Sequence, residues 1–287
     1  MFGSGGRLLR PLVTAALGAL DQVSGWPATA TAGVVTTSGV LATTGPADRV
    51  FAWASVTKVV TALAVLVAVE EELVGLDDPA GPPGSTVRHL LAHASGLPFE
   101  GRQPIARPGR RRIYSNAGFE ALAQTVARAA DMPFAEYMAA GVLEPVGMGG
   151  TRLEGSPAWG LKGPLTDLLR LGQELLAPRV VAQETLAEAT AVAFPGLAGV
   201  VPGFGRQPSN DWGLGFELRD HKDPHWTGRT NSPATFGHFG RWGSFLWVDP
   251  RAAVACASLA DREFGPWAAR AWPALSDAVL GELRAGQ

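Results

Sequence analysis

Apolar residues near the start of the chain recur at helical spacing. Leu8, Leu9, Leu12, Val13, Ala16, Leu17 and Leu20 form one stripe, closed by Asp21, and predict a first helix. Pro11 interrupts the run and its basic flank is only Arg7 and Arg10, so the segment reads as a structural helix rather than a secretion signal. Residues 29–44 then switch to Val, Thr and Ala around Ser38-Gly39, the pattern of a β-hairpin. Over 56–71 the chain becomes almost unbrokenly apolar. A helix apolar on all sides belongs at the centre of a fold.

Residues 78–112 are rich in Pro, Gly and Arg, which predicts loops around a short helix at 86–93. Helical patterning returns at 117–130, 134–143 and 166–176, with Thr166 placed to cap the last of these. Apolar strands follow at 244–248 and 252–259, joined at Asp249-Pro250-Arg251, and a final helix is expected over 273–284. Strands at both ends and helices between them predict an α/β layer built from the two termini, with a helical region inserted. The expected division is a sheet domain of residues 1–53 and 226–287 and a mostly helical domain of 54–225, with the active site between them.

Composition narrows the classes. With 46% hydrophobic and 17% charged residues the chain is globular. A formal net charge of −2 makes no electrostatic case for nucleic acid or an anionic membrane surface. No apolar run reaches the ~20 residues of a membrane span, and a cytoplasmic protein is expected. The single cysteine, Cys256, sits in an apolar strand and reads as a core residue.

Ser55-Val56-Thr57-Lys58 opens the long apolar helix, and a separation of three puts both side chains on one face. A serine hydroxyl needs a base to become a nucleophile; a lysine of lowered pKa can serve, whereas arginine cannot lose its proton. Arginine supplies nearly all the cations here, the only lysines being Lys58, Lys162 and Lys222. A lysine in an apolar helix is therefore notable, because an unpaired buried charge is costly. Tyr114-Ser115-Asn116 precedes the helix at 117 and adds a phenol and an amide, although Asn116 alone would pass for a helix cap. Gly237-His238-Phe239-Gly240 precedes a strand, and glycines flanking a His there mark close approach of backbone to a ligand.

Other chemistries lack their motifs. His89 and His93 lie four apart, but no Glu or third ligand accompanies them, so they read as structural and no metal is implied. There is no Gly-x-Ser-x-Gly elbow and no Gly-x-x-x-x-Gly-Lys-Ser/Thr loop, hence no cofactor expectation.

Taken in order, Phe51-Ala52-Trp53-Ala54-Ser55-Val56-Thr57-Lys58, Leu90-Leu91-Ala92-His93-Ala94-Ser95-Gly96-Leu97-Pro98, Tyr114-Ser115-Asn116 and Gly237-His238-Phe239-Gly240 resemble the serine β-lactamase and penicillin-binding-protein family. The branch that these motifs resemble is that of class C β-lactamases, D-alanyl-D-alanine carboxypeptidases and related esterases. Trp159-Gly160-Leu161 and Trp212-Gly213-Leu214-Gly215-Phe216 extend the likeness along the chain.

The resemblance implies an antiparallel sheet flanked by terminal helices. It also implies Ser55 as nucleophile, Lys58 and Tyr114 sharing the general base, Asn116 orienting substrate and His238 replacing the family's third-motif lysine. The backbone N–H groups of Ser55 and Arg241 would form the oxyanion hole beside Gly240.

Phe239 departs from the Thr or Ser of many relatives, which implies weaker recognition of anionic substrates unless Arg241 or an Arg within 107–112 restores it. An ester- or amide-cleaving hydrolase acting on a small molecule is therefore expected. The alternatives are a β-lactamase or D-amino-acid-specific carboxypeptidase, or a non-catalytic penicillin- or peptide-binding protein.

Overall fold

The first and last strands of the chain lie side by side, and this pairing sets the architecture. The computed structural model describes residues 17–286. Residues 8–16 of the expected first helix lie outside the described residues; from Gly18 to Gly25 the chain forms a 3₁₀ helix. Then come β1 (Ala30–Thr36) and β2 (Gly39–Thr44), the expected hairpin. β3 (Phe51–Ala52) leads into α1 (Thr57–Glu70), α2 (Val87–Leu91) and α3 (Asn116–Ala129). α4 (Phe134–Met138), a π-helical turn over Ala139–Leu143 and α5 (Glu144–Val146) complete the first helical stretch. β4 (Arg152–Leu153) and β5 (Leu161–Gly163) pair with β3, and α6 (Leu165–Leu176) and α7 (Gln183–Ala189) follow. A small hairpin of β6 (Gly199–Val201) and β7 (Gly205–Gln207) precedes β8 (Glu217–Leu218), β9 (Phe236–Gly240), β10 (Ser244–Asp249), β11 (Val254–Ala260) and α8 (Pro266–Ala285).

The main sheet has the order β2-β1-β11-β10-β9-β8, and every neighbouring pair is antiparallel. The fold is thus an α/β one whose sheet comes from both chain ends, with a mostly helical stretch between. Side chains alternate across the sheet as the strand period requires. Leu246, Val248, Ala255 and Ala257 join α1 and α6 in one apolar cluster. Phe245, Trp247, Val254 and Cys256 join Trp272, Leu275 and Val279 of α8 on the opposite face. α1 is buried from Thr57 to Ala68, matching its all-round apolar pattern.

Three sequence expectations shift. β8 was grouped with the helical region 54–225, but Glu217 pairs with Gly237 and forms the sheet's edge. Thr166 is not the cap of α6; the helix starts at Leu165 after Pro164, and the Thr166 N–H donates to Ala47 O. The last helix starts at Pro266 rather than 273, and Pro273 lies inside it. Proline fits a first helical turn and only weakens an interior one. The buried stripe of Trp272, Leu275 and Val279 carries the helix past it. Among the described residues, no helix is long and apolar enough to cross a membrane.

Candidate active site

Ser55 lies in a single 3₁₀ turn, Ala54–Val56, immediately ahead of α1. Ala54 has a φ of 46°, a left-handed conformation that an L-residue adopts only when its surroundings impose it. Trp53 supplies the constraint. Its backbone N–H donates to Leu161 O at 2.9 Å, its indole to Gly163 O at 3.1 Å, and its carbonyl accepts from Ser244 Oγ at 2.7 Å. Gly240 presses on the same turn: a Cβ there would stand 2.6 Å from Trp53 O and 2.9 Å from Ala54 Cβ. Glycine at 240 therefore lets the end of β9 approach Ser55. Ser55 is half-buried in a cavity of about 440 Å³ shared with Asn116, Trp159, Arg241 and Trp242.

Lys58, one turn on, is fully buried. Its Nζ donates to Asn116 Oδ1 at 2.6 Å and to Ala158 O at 2.8 Å, and lies 4.7 Å from the centre of the Tyr114 ring. Burial drives its pKa well below 10.5, with the carboxylates of Glu100 and Glu120 opposing the shift. Lys58 is thus a lysine able to give up its proton far more readily than one in water.

Asn116 is the first residue of α3, and Ser115 is the cap, its Oγ accepting from the Gly118 N–H at 3.0 Å. The amide of Asn116 is left for other partners: Oδ1 faces Lys58, and Nδ2 donates to Glu100 Oε1 at 2.8 Å. The capping interpretation of Asn116 gives way to this bridge.

Tyr114 Oη lies 3.5 Å from His238 Nε2. His238 Nδ1 is 2.6 Å from Phe239 O. A carbonyl only accepts, so Nδ1 carries the proton and Nε2 faces Tyr114 as an acceptor. Burial and the charge of Lys58 push His238 down to about 3, against the opposing pull of Glu217. The imidazole is therefore neutral near pH 7. Burial pushes the Tyr114 phenol up, while its hydrogen bond with Ser55 works the other way.

His93 packs behind Tyr114, ring centres 4.7 Å apart, and its Nδ1 accepts the Ser115 N–H at 3.1 Å. His89 Nδ1 sits 2.9 Å from Thr86 Oγ1. Each of these histidines thus spends a ring nitrogen on local backbone or cap geometry. Among the described residues no group of three His, Cys, Asp or Glu is arranged to hold a metal ion.

The structure corrects the sequence reading of Phe239. Its side chain does not line the cavity; it packs against Trp226, Phe264 and Trp272 at 5.6, 5.3 and 5.8 Å between ring centres. Strand alternation places it on the α8 face, opposite to His238. Arg241 lines the cavity, but its guanidinium pairs with Glu263 at 3.0 Å. Arg112 is buried and donates to the carbonyls of Ala92, Asn210, Ala193 and Phe194, so it is not free to meet a substrate anion.

Several cavity residues carried no site expectation in the sequence. Phe99 and Trp242 are exposed aromatics in the lining, beside Trp159 of the Trp159-Gly160-Leu161 segment. Lys162 in the wall is paired with Glu154 at 2.9 Å. Glu217, beneath His238 on β8, is buried with Lys222 at 3.4 Å and His225 at 3.1 Å. The charge of Lys222 and the hydrogen bonds from His225 and Trp226 hold its carboxyl at about 2 despite burial. The rarity of lysine in the chain was a usable signal for Lys222.

The Beta-lactamase family model matches residues 9–280. A crystal structure of a beta-lactamase from Mycobacterium bovis is 54% identical, with a TM-score of 0.91, covering 92% of this chain and 99% of that one. EstCE1, a hydrolase with promiscuous acyltransferase activity, shares the fold at 18% identity and a TM-score of 0.73, covering 92% of this chain and 97% of that one. Penicillin-binding protein 4* of Bacillus subtilis is 29% identical over 139 residues, 37% of this chain. That match spans only 31% of the longer protein's length.

Proposed function

The chain belongs to the beta-lactamase family, and on that premise we propose that it is a serine hydrolase cleaving a small ester or amide through an acyl-enzyme on Ser55. The observation that carries this reading is Lys58: buried, of lowered pKa, hydrogen-bonded to Asn116 and one helical turn from a half-exposed serine. In this reading Ser55 Oγ attacks the acyl carbon while its proton passes to the Lys58–Tyr114 pair. The bond to the leaving group then breaks, and the proton is delivered to the departing oxygen or nitrogen. Water then attacks the acyl carbon and gives a proton to the same pair, the bond to Ser55 Oγ breaks, the pair returns that proton to Ser55, and the acid is released. The backbone N–H groups of Ser55 and Arg241 hold the oxyanion, donors typically worth ~2.7–4 kcal/mol each. His238, neutral, accepts from Tyr114 and holds the phenol in line.

Ester-type chemistry is preferred because the cations in the walls of the Ser55 cavity, Lys162 and Arg241, are paired with carboxylates. Glu100 adds negative charge beside Asn116. A second reading, opening of a β-lactam ring by the same centre, is favoured by the 54% identical protein described as a beta-lactamase.

The test is hydrolysis of p-nitrophenyl butyrate and of a chromogenic cephalosporin by the wild type and by Ser55→Ala. Ester turnover lost only in the variant supports the proposal, and faster cephalosporin turnover selects the second reading. Equal rates in both proteins remove Ser55 as nucleophile. Inactivity towards both compounds would leave a binding protein, to be pursued by covalent labelling of Ser55.

A further inference from the structure

A second cavity, of about 420 Å³, lies against Tyr114. Its walls share Phe99 with the Ser55 cavity and include Tyr114, Ile113, Val200, Arg111 and Arg206. The two cavities thus share Phe99 as a wall, and Tyr114 lines the second.

Charge distinguishes them. Lys162 and Arg241 of the first cavity are each paired with a glutamate. Arg111 and Arg206 are exposed, and neither has a carboxylate partner among the described residues. Two unpaired guanidiniums beside apolar walls form a place for an anion at the end of an apolar body, because each can donate two parallel hydrogen bonds to a carboxylate or phosphate.

The cavity floor is held firmly. The Arg112 N–H donates to Ala198 O at 3.1 Å, and its buried guanidinium ties four carbonyls together. At Gly199 a Cβ would stand 2.8 Å from Arg112 O, so the β6–β7 hairpin rests directly on the segment that carries Arg111. Arg206 is fixed in register opposite Val200 on that hairpin.

We propose that this second cavity is the leaving-group subsite, and that Arg111 and Arg206 hold a carboxylate or phosphate carried on an otherwise apolar leaving alcohol or amine. The inference rests on the acyl-enzyme reading above. When Ser55 Oγ forms its bond to the acyl carbon, the bond to the leaving oxygen or nitrogen breaks. That atom takes up the proton lost by Ser55, delivered through the Lys58–Tyr114 pair. The departing group therefore lies beside the Tyr114 phenol, in the wall of the second cavity, while the acyl chain remains with Ser55 in the first.

The test separates binding from turnover. Calorimetry with 4-hydroxybenzoate, methyl 4-hydroxybenzoate and phenyl phosphate is run on the wild type, on Arg111→Gln/Arg206→Gln and on each single variant. The anions should bind the wild type more tightly than the neutral ester, and the double variant should weaken them about tenfold without changing the neutral ester. The tighter of the two anions identifies the group preferred.

Hydrolysis then assigns the side. The wild type should favour 4-butyryloxybenzoate over its methyl ester through a lower KM, an advantage absent in the double variant and absent for a carboxylate placed on the acyl chain. Anion binding unchanged in the double variant, or a preference that follows the acyl-side carboxylate, would overturn the subsite. Arginine-dependent anion binding by a protein that hydrolyses none of the esters would overturn the leaving-group role and the acyl-enzyme reading, leaving an anion site alone. Ser55-dependent hydrolysis of the neutral ester with no arginine-dependent preference would sink only the subsite.

Discussion

Lys58 Nζ and Asn116 Oδ1 stand 2.6 Å apart across 58 positions of sequence, and the far side of the same amide donates to Glu100. The carboxylate of Glu100 can only accept, so it fixes which end of the Asn116 amide meets the lysine. Without it, a turned amide would set NH₂ against an ammonium.

Glu100→Gln keeps an acceptor for Asn116 but removes the charge that raises the Lys58 pKa. Lys58 then loses its proton more easily, and the acid limb of the kcat/KM profile for p-nitrophenyl butyrate should move to lower pH. An unmoved limb would show that Lys58 is not the group titrating there.

Lys58→Met replaces a buried ammonium with an apolar chain of similar length. Asn116 Oδ1 and Ala158 O lose their donor, at a cost of ~1–3 kcal/mol each, partly offset because no charge remains to be desolvated. The melting temperature should therefore change modestly, while kcat/KM falls by about 10²–10⁴. Wild-type turnover in a folded Lys58→Met protein would transfer the base role to Tyr114.

His238 gives a stability prediction with a definite sign. Its folded-state pKa, about 3, lies below its ordinary value of 6.5. Between those values the unfolded chain binds a proton that the folded protein does not. Stability therefore falls as pH drops from 6.5 towards 3. His238→Gln should flatten that slope in urea titrations, with His93 and His225, also pushed down by burial, supplying the remainder. An identical slope in the variant would mean that His238 titrates normally.

Gly240→Ala introduces a methyl against Trp53 O and Ala54 Cβ. Neither atom belongs to a flexible side-chain end, so the turn carrying Ser55 must shift. A loss of ~1–3 kcal/mol in stability, with a larger proportional loss of acylation rate, is expected from chemical denaturation and stopped-flow burst kinetics. Acylation at the wild-type rate would show that the turn tolerates displacement.

Local spacing made part of the site legible. Ser55 and Lys58 are separated by one helical turn, and the apolar run after them announces a buried helix, so their proximity needs no tertiary knowledge. The Ala54 conformation and the Gly240 contact depend on residues nearly two hundred positions apart, and no local pattern encodes them. Phe239 was misread for a different reason. Motif alignment ranks it beside His238, but strand alternation sends consecutive side chains to opposite faces, and that rule was available from the sequence. Arg112 was hidden because five arginines within 102–112 look alike; only burial against four carbonyls singles one out. The terminal helices blurred where proline permits two readings, a first turn or an interior position.

β11 lies between β1 and β10, so residues 30–36 are hydrogen-bonded to residues 254–260. A chain still being synthesised can form α1 and bring Lys58 to Asn116, but it has no His238, no Gly240 and no partner for the outer edge of β1. The centre therefore becomes whole only after β9, Phe236–Gly240, has emerged. Joining such distant segments is also the slow part of folding. Order of synthesis thus leaves the surroundings of Ser55 incomplete until the strands that enclose it exist.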